Sequence, residues 1–123
     1  MKHPAVYFIS NKNRTTIYIG VTSDLEKRMF EHKAGIGSSF AAKYNLVDLI
    51  YYEKHPSMIA AIEREKQLKN WHSKWKWNQA KSFNKSLLDL AHDWFTPDEI
   101  KTFREDMRKE YELRRRDPET SSG

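Results

Sequence analysis

Lys66, Lys69, Lys74, Lys76, Lys81 and Lys85 follow one another with no acidic residue between them, and Trp71, Trp75 and Trp77 lie in the same stretch. Ammonium groups neutralise phosphates and release their counterions, and indole faces stack on bases or sugars, so the stretch suits a polyanion. The same residues also fit an amphipathic helix whose tryptophans are core and whose lysines are solvated. We read the tryptophans as core and Lys66, Lys69, Lys74, Lys76 and Lys81 as nucleic-acid contacts. Glu65 is the second feature. It falls on the stripe formed by Met58, Ala61, Ile62 and Leu68, where a carboxylate is costly unless something pairs with it. The chain has no cysteine, which excludes a disulfide framework, a thiolate zinc site, an iron–sulfur cluster and a cysteine nucleophile. His3, His55, His72 and His92 have no metal-cluster spacing and receive no role.

The elements that must position these groups follow from the hydropathy pattern. Ala5 to Ile9 and Thr15 to Val21 are β-rich runs separated by the polar cluster 10–14, which predicts a hairpin. A helix follows, with Thr22, Ser23 and Asp24 as cap candidates; with Ser23 as the cap, Glu26 falls at the capping-box position. Leu25, Met29, Arg28 and His32 line one side of it, and Gly35 with Gly37 end it. Residues 35–45 read as a loop, Leu46 to Tyr52 as a third strand, and Met58 to about Trp71 as a helix capped by Ser57. One or two short helices are expected between Lys74 and Trp94, with Leu87, Leu88, Leu90, Ala91, Trp94 and Phe95 as a closing apolar patch. Thr96, Pro97 and Glu99 then make a strong start for a helix to about Arg115.

At 123 residues the chain has room for one core, and its net charge of +5 is unevenly placed. Residues 1–95 carry 15 Lys and Arg against 9 Asp and Glu, whereas residues 96–123 carry 7 against 8. The basic excess therefore belongs to the front part. No apolar run approaches the roughly 20 residues that span a bilayer, so no membrane partner is expected, and the cysteine-free composition suits a reducing cytoplasm. We expect a domain over residues 1–95, a helical extension over 96–116 and a disordered tail over 117–123.

Val6-Tyr7, then Tyr18-Ile19-Gly20, then Arg28 and His32, then Glu65 occur in an order that resembles the GIY-YIG nuclease superfamily. Residues 60–69 resemble the helix carrying that family's metal-binding glutamate, and Asn84 followed by Leu88-Asp89-Leu90 is similar to a C-terminal motif of its small stand-alone bacterial members, relatives of the N-terminal nuclease domain of the excision-repair subunit UvrC. The match covers roughly residues 4 to 90. One departure is Ala5, which stands where the name-giving motif has Gly.

The resemblance implies an α/β fold, a small three-stranded antiparallel sheet flanked by helices, here with the C-terminal helical extension. It implies a metal-dependent endonuclease acting on phosphodiester bonds, with DNA as the expected substrate and RNA as a further option. Glu65 would be the sole protein ligand of one divalent ion, Mg²⁺ or Mn²⁺, and no other cofactor is implied. Arg28 would hold a phosphate oxygen, Tyr7 would be the general base, Tyr18 would position water or phosphate, and His32 completes the catalytic set; Gly20 and Asn84 belong to structural motifs. A tyrosine with its ordinary pKa near 10 is a poor base at neutral pH, so nearby positive charge is expected to lower it. Each residue also has a plain use: the tyrosines as core, Arg28 with His32 as a polar helix edge, Glu65 paired with Lys69. The competing function is a non-catalytic nucleic-acid-binding module on the same scaffold. For residues 97–116, an apolar seam at Ile100, Phe103, Met107 and Tyr111 implies docking on the domain through Phe103 and Met107, or weak self-association, with a frayed helix as the alternative.

Overall fold

The computed structural model describes residues 3–116. Its order is β1 (Ala5–Ser10), β2 (Ile17–Thr22), α1 (Leu25–Lys33), α2 (Ser39–Lys43), β3 (Asp48–Lys54), α3 (Met58–Lys69), α4 (Ser73–Phe83) and α5 (Pro97–Arg116). The strands form one antiparallel sheet in the order β2-β1-β3, so the first strand is the central one. Every residue of β1 is buried, which accounts for its near-continuous apolar sequence.

Alternation along β1 divides the core in two. Val6 and Phe8 face α3 and α4, packing with Ala61, Leu68 and Ala80 and with the half-buried Trp71 and Trp77. Tyr7 and Ile9 face the other way, toward Leu25 and Met29 of α1, Ala41 of α2, and Leu46, Leu49 and Ala91. Each large apolar side chain buried in this way contributes about 1.5–3 kcal/mol. Trp71 and Trp77 are thus core, as expected, whereas Trp75 is exposed.

β3 carries a bulge. Phe8 pairs with Tyr51 and Ile9 with Leu49, leaving Ile50 as the extra residue, and Ile50 joins Tyr51 on the α3 and α4 face. The amide of Asn84 donates to the Ile50 carbonyl at 3.1 Å and to the Leu88 carbonyl at 2.7 Å, while its oxygen accepts from the Leu88 N–H. Asp89 accepts from the Leu49 N–H, the Leu90 N–H donates to the Leu49 carbonyl at 2.7 Å, and Lys33 pairs with Asp89 at 2.7 Å. The segment after α4 therefore satisfies an irregular edge strand that would otherwise present free backbone groups. Asn84 works here as a backbone clamp.

Several sequence-based expectations change. Of the three cap candidates it is Asp24 that caps α1, its carboxylate accepting from the Lys27 N–H, so the capping box built on Ser23 does not form. The expected loop 35–45 contains α2, capped by Ser38 and anchored by buried Ala41. β3 runs two residues later than Leu46 to Tyr52, and α3 ends at Lys69 rather than Trp71. On α3 only Ala61 and Leu68 are fully buried; Ile62 is exposed, so the apolar stripe is narrower than the pattern suggested. A single helix, α4, lies between residues 73 and 94, and Leu88 of the closing patch is exposed.

α5 begins as predicted, with Thr96 and Glu99 exchanging capping hydrogen bonds at 3.1 Å. It docks on α1 through Phe103, whose ring meets Phe30 at 4.5 Å, and through Arg104, which donates to the Ala34 carbonyl at 3.0 Å. Met107 and Tyr111 are exposed, so the seam is used over its first turns only. The tail expected to be disordered, residues 117–123, lies outside the described residues.

Candidate active site

Tyr7 sits in the middle of the central strand with Gly20 of β2 directly opposite. Its side chain is fully buried, and its hydroxyl lies 2.8 Å from His32 Nε2. α1 delivers His32: Leu25, Met29 and His32 are its buried residues, and Arg28 stands one turn before the histidine. Tyr18 reaches the same place from β2, its ring edge-on to His32 at 6.1 Å. Four of the residues singled out in the sequence are therefore gathered from three elements.

Two glycines make the room. A Cβ at Gly20 would stand 2.4 Å from the Tyr7 ring and hydroxyl, because residues paired across the two strands project to the same face. A Cβ at Gly37 would stand 2.3 Å from His32 Nδ1. Gly35 is the turn glycine, with φ +79°, whereas Gly37 is needed for space. Sequence reasoning placed Gly37 with the turn and missed this function, for which spacing offers no signal.

Burial pushes the Tyr7 hydroxyl up to about 12, against the lowering effect of the Arg28 guanidinium beside it. The expectation of a tyrosine lowered by positive charge is therefore corrected: the cation is present, but desolvation outweighs it. Burial, assisted by Arg28, lowers His32 to about 4. Arg28 is partly buried, which works against its charge, yet the Tyr7 hydroxyl and the Glu31 carboxylate favour its charged form, and Glu31 pairs with it at 3.4 Å. At neutral pH the site thus holds a neutral phenol and a neutral imidazole beside a fixed cation. Arg28 Nε and His32 Nδ1 are buried without hydrogen-bond partners.

A pH dependence follows. His32 binds its proton less readily in the fold than in the unfolded chain, so its contribution is complete above pH 6.5 and is lost as pH falls through about 4. At 1.36 kcal/mol per pKa unit, the loss across this window is on the order of 3 kcal/mol. Denaturant midpoints measured between pH 7 and 4 should fall for the wild type, and the slope should flatten in His32→Gln. An unchanged slope in the variant would assign the acid sensitivity to other groups.

Arg28 opens into a groove of about 760 Å³ between α1, the end of β2 and the start of α3, lined also by Thr22, Lys27, Glu31 and Met58. Glu65 lies on α3, which packs against β2. Its side chain retains 15% exposure and pairs with Lys69 at 3.4 Å. The Lys69 ammonium is in turn 6.0 Å from the Tyr18 ring centre, so contacts run from Glu65 through Lys69 and Tyr18 to the His32 and Tyr7 pair. No group of three or more His, Asp or Glu able to hold a metal occurs among the described residues. A single half-buried carboxylate on a rigid helix fits a hard cation that keeps most of its waters, the binding mode of Mg²⁺.

The lysines are only partly gathered. Lys69 and Lys76 line a groove beside Tyr18, whereas Lys66, Lys74 and Lys81 are exposed on α3 and α4 outside it. No helix of the described residues is long and apolar enough to cross a membrane.

The chain is similar to several known proteins. A UPF0213 protein of Natronomonas pharaonis is 35% identical over 65 residues, covering 53% of this chain and 75% of that protein. One from Bacillus pumilus is 29% identical over 70 residues, covering 57% and 71%, and one from Streptococcus pyogenes is 45% identical over 51 residues, covering 41% and 54%. No solved structure gives a significant match. The family model described as the GIY-YIG catalytic domain matches residues 3–78, a span that includes Tyr7, Tyr18, Gly20, Arg28, His32 and Glu65, and the chain belongs to that family.

Proposed function

We propose that this protein is a divalent-metal-dependent endonuclease that hydrolyses phosphodiester bonds in DNA. The observation that carries the reading is the Tyr7 hydroxyl held 2.8 Å from His32 Nε2 beside Arg28, whose side chain opens into a groove. Arg28 offers a fixed cation and a forked donor to a phosphate oxygen, with Nε still free to donate. Glu65 would hold one Mg²⁺ or Mn²⁺ ion, which supplies charge neutralisation and polarised water.

The proton chemistry of the pair follows from its shifts. A phenol raised to about 12 does not work as a standing phenolate. It works as a relay: Tyr7 takes a proton from the attacking water while passing its own to His32 Nε2, so neither group carries negative charge. An anionic phosphate beside Arg28 raises the proton affinity of His32 and favours the relay only when substrate is present. Tyr18, against His32, positions the water or phosphate. Lys69 and Lys76 hold the nucleic-acid backbone, with Lys66, Lys74 and Lys81 extending the basic surface.

The Glu65–Lys69 ion pair is the observation that favours the second reading, a non-catalytic nucleic-acid-binding module. Plasmid nicking decides between them. Cation-dependent nicking that stops on chelation supports the endonuclease; no nicking with Mg²⁺ or Mn²⁺ while binding persists supports the module. The exposed Met107 and Tyr111 of α5 are where the proposed weak self-association through residues 97–116 would occur.

A further inference from the structure

The short helix α2 carries an aromatic surface that none of the assigned roles uses. Phe40 lies on α2 and Tyr44 is the residue that caps its C-terminus, and their ring centres are 4.8 Å apart. They keep 48% and 47% of their surface exposed, although both are large and aromatic. Phe40 also stacks on Tyr18 at 6.1 Å with only 27° between ring planes. The three rings thus form a continuous path that ends on the residue touching His32.

The helix beneath this path is fixed. Ser38 caps it, Ala41 is buried in the core beside Tyr7, and the Leu46 N–H donates to the Ala41 carbonyl at 2.9 Å. Lysines surround the rings. Lys43 Nζ lies 5.5 Å from the Tyr44 ring centre, Lys69 lies over Tyr18, and Lys69 and Lys76 line the groove of about 280 Å³ against Phe40. No carboxylate lines that groove. A rigid run of exposed ring faces with cations at its margins is complementary to unpaired bases on a phosphate backbone. A duplex uses its base faces internally and offers none to such a surface.

We propose that Phe40 and Tyr44 stack on unpaired bases of a single nucleic-acid strand, while Lys43, Lys69 and Lys76 contact its backbone. The placement beside the scissile phosphate rests on the endonuclease reading above; the stacking itself does not. The substrate class is then nucleic acid with an unpaired segment next to the cut.

Anisotropy of a labelled oligothymidylate, in chelator so that nothing is cut, reads the stacking apart from cleavage. Phe40→Ala and Tyr44→Ala should each weaken binding of the single strand about tenfold, leave duplex binding unchanged, and Phe40→Trp should restore it. The wild-type protein should bind a strand of equal length containing base-free sugars about as weakly as the variants bind the intact strand. That arm does not depend on any variant folding. Equal affinity of the wild type for intact and base-free strands overturns the proposal, as do equal losses on single strand and duplex. Cation-dependent nicking is measured separately, so loss of one result leaves the other standing.

Discussion

Replacing Glu65 with Gln should reduce cation-dependent nicking by on the order of a thousandfold, the several kcal/mol that a bound cation contributes to charge stabilisation. Binding of nucleic acid measured in chelator should be retained or strengthened, because the change removes a negative charge from beside Lys69. The amide is isosteric and sits at a position with 15% side-chain exposure, so the helix has no reason to move. Glu65→Asp tests the same point by geometry: it keeps the charge but withdraws it by one methylene, and partial activity is expected. Undiminished nicking by Glu65→Gln would remove this carboxylate from the reaction and leave the Lys69 pair as its whole purpose.

The site was legible in the sequence to the extent that strand and helix periodicity fix direction. β1 and β2 alternate, so Tyr7 and Gly20 had to share a face once paired. Arg28 and His32 are four residues apart on α1 and had to lie together. What could not be read depends on space and solvent. Gly37 lacks a side chain because His32 occupies that volume, a relation between residues with no periodic link. The direction of the Tyr7 shift turned on burial outweighing a nearby cation, and burial is not a property of spacing.

The same division holds for the fold. The hairpin and the start of α5 were strongly signalled, one by β-branched runs around a polar cluster and the other by a Thr-Pro-Asp-Glu capping sequence. α2 was hidden because five residues cannot display helical periodicity, and Gly37, Ser38 and Ser39 carry turn chemistry as well as capping chemistry. The bulge at Ile50 was hidden because Leu46 to Tyr52 reads as a continuous apolar run that does not say which residue is extra. Its partner Asn84 is 34 positions away.

Arg28→Ala should lower cleavage about 10²–10³-fold while changing affinity for nucleic acid little, since a donor aimed at a phosphate oxygen matters most as charge grows there. Lys76→Ala should do the reverse. Lys76 lines the groove beside Tyr18 and Phe40 rather than the one into which Arg28 opens, and under the proposed function its charge would serve the backbone of bound nucleic acid. Loss of one phosphate contact should weaken binding across sequences and flatten the plot of log affinity against log salt by about one. The two variants also differ in what they leave behind. Removing Arg28 takes away the cation that helps lower both Tyr7 and His32, so both should rise further or recover toward their ordinary values, Tyr7 up and His32 up. The pH profile of residual cleavage in Arg28→Ala should therefore shift to higher pH, a change that Lys76→Ala should not produce. Matching affinity losses in the two variants, with no selective cleavage defect and no profile shift at Arg28, would end this division of labour.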